Sequence, residues 1–98
     1  SKAVMMIPVS KWDFIMKAVS VRSYLPGRIR LQSNRLVNNK SLSAQVYQYI
    51  SSYKEIDTVE VNTVTGSVLL MYKPQILRSN RELAEIERYI MTHVERRP

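Results

Sequence analysis

Five polar side chains in one short stretch carry the strongest chemical signal of this sequence. Arg22, Tyr24, Arg28, Arg30 and Gln32 fall at alternating positions of SVRSYLPGRIRLQ, interrupted by a Pro-Gly pair. Alternation of that kind puts side chains on one face of a β-strand. Guanidinium groups pair bidentately with carboxylates and phosphates, and a tyrosine ring gives a nucleobase something to stack on. Docking on a protein surface and binding single-stranded nucleic acid are therefore two uses of such a face. A solvated charged surface is the third, with Thr58, Glu60 and Asn62 of a neighbouring strand offsetting part of the charge. Leu69 and Met71 on the same face would add apolar contact, which favours a protein partner over RNA.

The remaining chemistry is sparse. With no cysteine in the chain, a disulfide framework and a thiolate metal site are excluded. His93 is the sole histidine. Met91 and His93 offer a thioether and an imidazole to a soft ion, and His93 or a tyrosine offers a ligand to haem, yet two ligands do not make a tetrahedral site. Solvation and core filling are the commoner roles of such a histidine and of scattered methionines. No cofactor is expected, with haem or iron on non-cysteine ligands as the alternative. The serines lack a nearby base, the carboxylates show no paired motif, and Gly27 and Gly66 alone cannot build a phosphate loop. The sequence reads as a non-enzyme.

Composition bounds the partners. The 98 residues, 45% of them hydrophobic, suit a single small core. The net charge of +7 points to an anionic partner, whether protein, nucleic acid or the anionic cytoplasmic face of a membrane. No apolar run reaches the roughly 20 residues that span a bilayer. A cytoplasmic protein, membrane-associated through a partner, is the expectation.

The elements that would position the basic face follow from periodicity. Residues 3–9, AVMMIPV, read as an edge strand or arm because Pro8 cannot donate to a ladder. Ser10 is a candidate cap for a short helix with Trp12, Ile15 and Met16 on one side. Residues 1–17 thus form an arm and 18–98 the domain proper. From Val19 to Gln32 the period is two, with Val19, Val21, Ser23, Leu25, Ile29 and Leu31 inward, and Pro26-Gly27 reads as a bend or bulge. A polar loop precedes an amphipathic helix over about 40–54, carried by Leu42, Val46, Tyr49, Ile50 and Tyr53. DTVEVN, a turn at Thr65-Gly66, and SVLLMY form a hairpin whose second strand is apolar on both faces and so central. Ser79 to Glu82 fits a capping box opening a helix with Leu83, Ile86, Ile90 and Val94 as its stripe. The order is strand, helix, strand, strand, helix. The predicted fold is α+β, a ferredoxin-like sandwich with two helices on one face of an antiparallel sheet, an extra N-terminal strand or arm, and no obvious C-terminal fourth strand. The arm or a second molecule would fill the open edge, so a homodimer through a sheet edge is one expectation.

RIRLQS, the helix SLSAQVYQYISSYKEI, and DTVEVNTVTGSVLLMYKP together resemble the heavy-metal-associated domain of copper chaperones and metal-pumping P-type ATPases. LPGRIRL is similar to a divergent branch that lacks the cysteines. The resemblance places the family's Met-x-Cys-x-x-Cys loop within residues 33–41, here SNRLVNNKS. Soft Cu(I) wants sulfur ligands, whereas this loop offers amides, hydroxyls and the cations of Arg35 and Lys40. What the resemblance implies is an accessory or regulatory role in bacterial metal homeostasis, iron included, with a P-type ATPase or its membrane complex as partner.

Overall fold

The computed structural model describes residues 11–95. The expected strand over residues 3–9 and the Ser10 cap lie outside the described residues. Helix α1 (Lys11–Ala18) precedes a hairpin of β1 (Ser20–Leu25) and β2 (Arg28–Gln32). A 3-10 turn (Asn34–Leu36) leads to α2 (Lys40–Ser51), then β3 (Ile56–Asn62) and β4 (Ser67–Tyr72) follow. A single turn of helix, α3 (Pro74–Leu77), and α4 (Arg81–Thr92) complete the described part. The four strands form one antiparallel sheet in the order β1-β2-β4-β3, with helices packed on it: the α+β, ferredoxin-like arrangement expected.

The stretch read as one bent strand is two strands. Leu25 pairs with Arg28, so Pro26 and Gly27 close a two-residue turn. Proline at the first central position and glycine with φ of +96° at the second is the type II pattern. This hairpin answers the missing-strand problem. β1 lies beside β2, in the place that a strand following the second helix would otherwise fill. The filling segment is residues 20–25, not an arm ahead of residue 18.

The outer edge of β1 is in turn met by the chain after α4. Val94 bridges Val21 in parallel, and the Glu95 amide donates to the Val21 carbonyl at 2.9 Å. As expected, β4 is central and carries Val68, Leu70 and Tyr72 into the core.

The helices bury one face each against the sheet. Trp12, Ile15 and Met16 of α1 enter the same core as Leu31, Ile50, Val68 and Ile90. The Trp12 indole donates to the Tyr53 hydroxyl at 3.0 Å, and that hydroxyl donates to Glu82 at 2.7 Å, which ties α1 to the end of α2 and the start of α4. Glu82 is thereby not the reciprocal half of a capping box. Asn80, not Ser79, caps α4 by accepting from the Leu83 amide at 3.2 Å, while the Ser79 hydroxyl donates to the Ile76 carbonyl. Asn39 caps α2 in the same way through the Leu42 amide.

Candidate interaction face and the loop after the second strand

The face of the sheet opposite the helices is read directly from strand register. Arg28 lies beside Met71, which lies beside Thr58; Arg30 beside Leu69 and Glu60; Gln32 beside Ser67 and Asn62. Three rows therefore cross β2, β4 and β3, and no described residue of the helices covers them. Arg28, Arg30 and Gln32 point where the alternation places them. Leu69 and Met71 share that surface, Met71 at 37% exposure. The face is dished between Arg30 and Glu60, a concavity of about 600 Å3 bordered by Asn62, Thr63, Thr65 and Ser67.

Tyr24 does not join them. Val21 pairs with Leu31 but Ser23 pairs with Arg30, so Arg22 is an extra residue in a β-bulge. A one-residue insertion exchanges the faces of everything after it. Tyr24 is turned under the sheet against Ile29, and Leu25 comes out beside Arg28 at 61% exposure. Arg22 at the bulge is engaged at the edge, 2.7 Å from Glu95 and 3.4 Å from Gln32. Gln32 also donates to the Asn34 side chain and to the Thr65 carbonyl at 3.0 Å, so it braces the turns. Of the five residues expected to act together, Arg28 and Arg30 remain on the open face with no ion-pair partner among the described residues. Leu25, assigned inward by sequence alternation as Ser23 was, instead joins the open face.

Tyr24 instead joins a buried polar cluster that the sequence did not announce as one. Glu87 is 3% exposed and accepts from Tyr24 at 2.9 Å, from Tyr72 at 2.7 Å and from Arg78 at 2.7 and 3.1 Å. Burial works to raise the Glu87 pKa, but the hydrogen bonds from Arg78, Tyr72 and Tyr24 outweigh it and hold the carboxyl below its ordinary value. Burial, then the bond to Glu87, pushes both Tyr24 and Tyr72 up. The bond to Glu87 likewise keeps Arg78 firmly protonated. Among the described residues no buried side-chain nitrogen or oxygen lacks a partner. The signal was present: position 87 falls inside the stripe of Leu83, Ile86 and Ile90, where a charge must be paired if it is to be buried.

The loop after β2 is rigidly built. The Ser33 hydroxyl accepts from the Arg35 amide, the Asn34 side chain takes a bond from Gln32, and the Asn39 side chain caps α2. The Ser33 amide donates to the Gly66 carbonyl at 2.8 Å and the Asn38 amide to the Thr63 carbonyl at 2.9 Å, so the β3–β4 turn clamps this loop. Asn38 adopts a φ of +54°, which asparagine tolerates better than most residues.

A two-layer sandwich with this strand order, and with its first loop set between β2 and α2, is the architecture of a metal-domain relative. The family model described as heavy metal associated domain 2 matches residues 11–94, most of the chain, and the chain belongs to that family. No curated protein and no solved structure matches it.

The residues present do not fit the family's cargo. The loop contains no sulfur ligand, and the side-chain oxygens of Ser33, Asn34 and Asn39 are engaged by Arg35, Gln32 and Leu42. Among the described residues no three histidine, aspartate or glutamate side chains converge as a metal-binding group. At the far end, His93 Nδ1 lies 2.8 Å from the Tyr89 carbonyl and the ring stacks on Tyr89 with centroids 3.8 Å apart. Met91, two residues back, projects from another side of the helix. Calorimetric titration with Zn(II) and competition titration with Cu(I) are expected to show no site tighter than about 1 µM, since neither ion finds three convergent ligands among the described residues. Stoichiometric tight binding that survives His93→Ala would contradict this reading of the loop.

Proposed function

We propose that this domain is a non-catalytic, cysteine-free member of its family that docks on a membrane metal transporter, a P-type ATPase or its complex, as an accessory or regulatory unit. The supporting observation is the open face: Arg28 and Arg30, with no ion-pair partner among the described residues, stand beside Leu25, Leu69 and Met71 on a surface that no described helix covers. Guanidinium groups flanked by apolar side chains suit a protein surface that presents carboxylates around an apolar ridge. The alternative of single-stranded nucleic acid binding loses its platform, because the rows crossing the face contain no aromatic residue once Tyr24 is turned inward. Among the described residues no helix is long and apolar enough to cross a membrane, and the net charge of +7 suits an anionic bilayer surface beside the partner.

A photo-crosslinking amino acid placed at Leu25 tests the reading in cells of the source organism. The expected result is an adduct with a membrane metal transporter, lost in Arg28→Glu/Arg30→Glu. Adducts confined to soluble enzymes or to nucleic acid would rule the docking role out.

A further inference from the structure

The open face has a second property, independent of any transporter: it is complementary to itself. We propose that two copies of this chain pack face to face as a weak, two-fold symmetric dimer with the symmetry axis lying along β4. The central row reads Arg30, Leu69, Glu60 across β2, β4 and β3. Within one chain Arg30 and Glu60 are two strand spacings apart, about 10 Å, and neither has an ion-pair partner among the described residues. Rotation by a half turn about β4 exchanges the two sides of the face. It sets Arg30 of each copy over Glu60 of the other, and Leu69 over its own counterpart.

The neighbouring rows agree. Met71 meets its counterpart while Arg28 meets Thr58, and Ser67 meets its counterpart while Gln32 meets Asn62. No like charges are opposed. The other in-plane axis, running across the strands through Leu69, sets Arg30 on Arg30 and Glu60 on Glu60, so the charge pattern selects the first. An isologous contact needs this reciprocity, in which one residue meets another and is met by it in return. Two sheets stacked in this way lie about 10 Å apart with strand directions within about 30° of each other, and an axis along β4 keeps the β4 row in contact. The dish beside Glu60 has room for the long Arg30 side chain of the second copy.

The sheet edges are poorer places for a second copy. Asp57, like Arg22, is an extra residue in a bulge, and it pairs with Lys73 at 3.3 Å. The β1 edge is met by Val94 and Glu95. Charged bulges and covered edges discourage strand addition.

The face is about 20 Å wide and about 17 Å long from strand geometry, below the roughly 800 Å2 per partner of a standard interface. The dimer is therefore weak and exchangeable, and a docking partner using Arg28 and Arg30 must displace it.

Analytical ultracentrifugation of the full chain from about 10 µM to about 1 mM, at about 0.15 M salt to screen the repulsion between two chains of charge +7, tests this. The wild type is expected to pass reversibly from monomer to dimer. Arg30→Glu and Glu60→Arg should each weaken the dimer about tenfold or more by opposing like charges. Their equimolar mixture and the doubly exchanged Arg30→Glu/Glu60→Arg chain should both recover it. A wild type monomeric throughout, or a dimer indifferent to Arg30→Glu, overturns the proposal. So does failure of both the mixture and the double exchange to recover association. The double exchange separates this from transporter docking, since it restores the dimer while leaving an acidic partner unrecognised. A monomeric wild type that still gives the transporter adduct would sink the dimer alone.

Discussion

Glu87→Ala is expected to lower the unfolding free energy by about 3 kcal/mol, a fall in melting temperature of roughly 15 °C for a domain of this size. The carboxylate is the common acceptor for two tyrosines and an arginine. Its removal leaves the Tyr72 hydroxyl buried without its carboxylate, and burying a polar group unpaired costs more than the bond itself is worth. The cost sits at the low end for broken buried pairs because Arg78, about half exposed, can turn to water. Trp12, 1% exposed and the sole tryptophan, reports the transition by fluorescence.

The same cluster sets the pH range of the fold. The Glu87 pKa is depressed in the folded state, so its contribution is complete above its ordinary value of 4.5 and is lost as pH falls through the folded value. Tyr24 and Tyr72 have pKa values raised above the ordinary 10.0. They keep their protons in the folded state while the unfolded chain ionises, so stability also declines as pH rises above 10.0. Urea unfolding across pH should show both limbs. Glu87→Gln should flatten the acid limb, and an acid limb unchanged in that variant would mean that other carboxylates control it.

The parts of this fold that could be read from the chain are those set by local periodicity. The alternation of Val59 and Val61, the doubly apolar SVLLMY and the stripe of Leu83, Ile86 and Ile90 each report their own burial without reference to a partner. The errors lie where pairing between strands decides. Pro26-Gly27 read as a bend or bulge because glycine tolerates unusual dihedrals and proline removes a donor, properties that serve a type II turn equally well. The bulge at Arg22 is a mismatch of two residues against one, and no local pattern in SVRSYL encodes it. That single insertion moved Tyr24 under the sheet and Leu25 onto it, which turned an expected aromatic platform into an apolar and basic one. Glu87 was a different kind of omission. Its position within an apolar stripe was visible, but its three partners come from β1, β4 and the segment just after α3, which only the folded chain brings together.

Gly66→Ala is expected to be about as damaging as loss of Glu87, about 3 kcal/mol, from left-handed backbone strain together with a clash that the neighbouring main chain cannot relieve cheaply. Gly66 has a φ of +77° and lies in the β3–β4 turn, with its amide donating to the Asn62 carbonyl at 2.7 Å. A Cβ there would stand 2.2 Å from the Ser33 carbonyl oxygen and 3.0 Å from Val37 Cγ2. Ser33 cannot retreat without breaking its own bond to the Gly66 carbonyl. The turn must therefore lift from the loop, and it would take with it the Asn38–Thr63 bond and the Gln32 contact to Thr65.

Asparagine separates the two causes, since it tolerates positive φ but carries the same Cβ. Gly66→Asn is expected to be nearly as destabilising as Gly66→Ala. At Gly27 the Cβ would stand 2.9 Å from the Tyr72 carbonyl oxygen, a less severe clash but still one with main chain, so asparagine should recover only part of what alanine loses there. Urea titration of the four variants, followed at Trp12, measures all of this. A Gly66→Ala protein within about 0.5 kcal/mol of wild type, the usual range for a surface change, would show that the clamp between this turn and the loop after β2 does not hold the fold together.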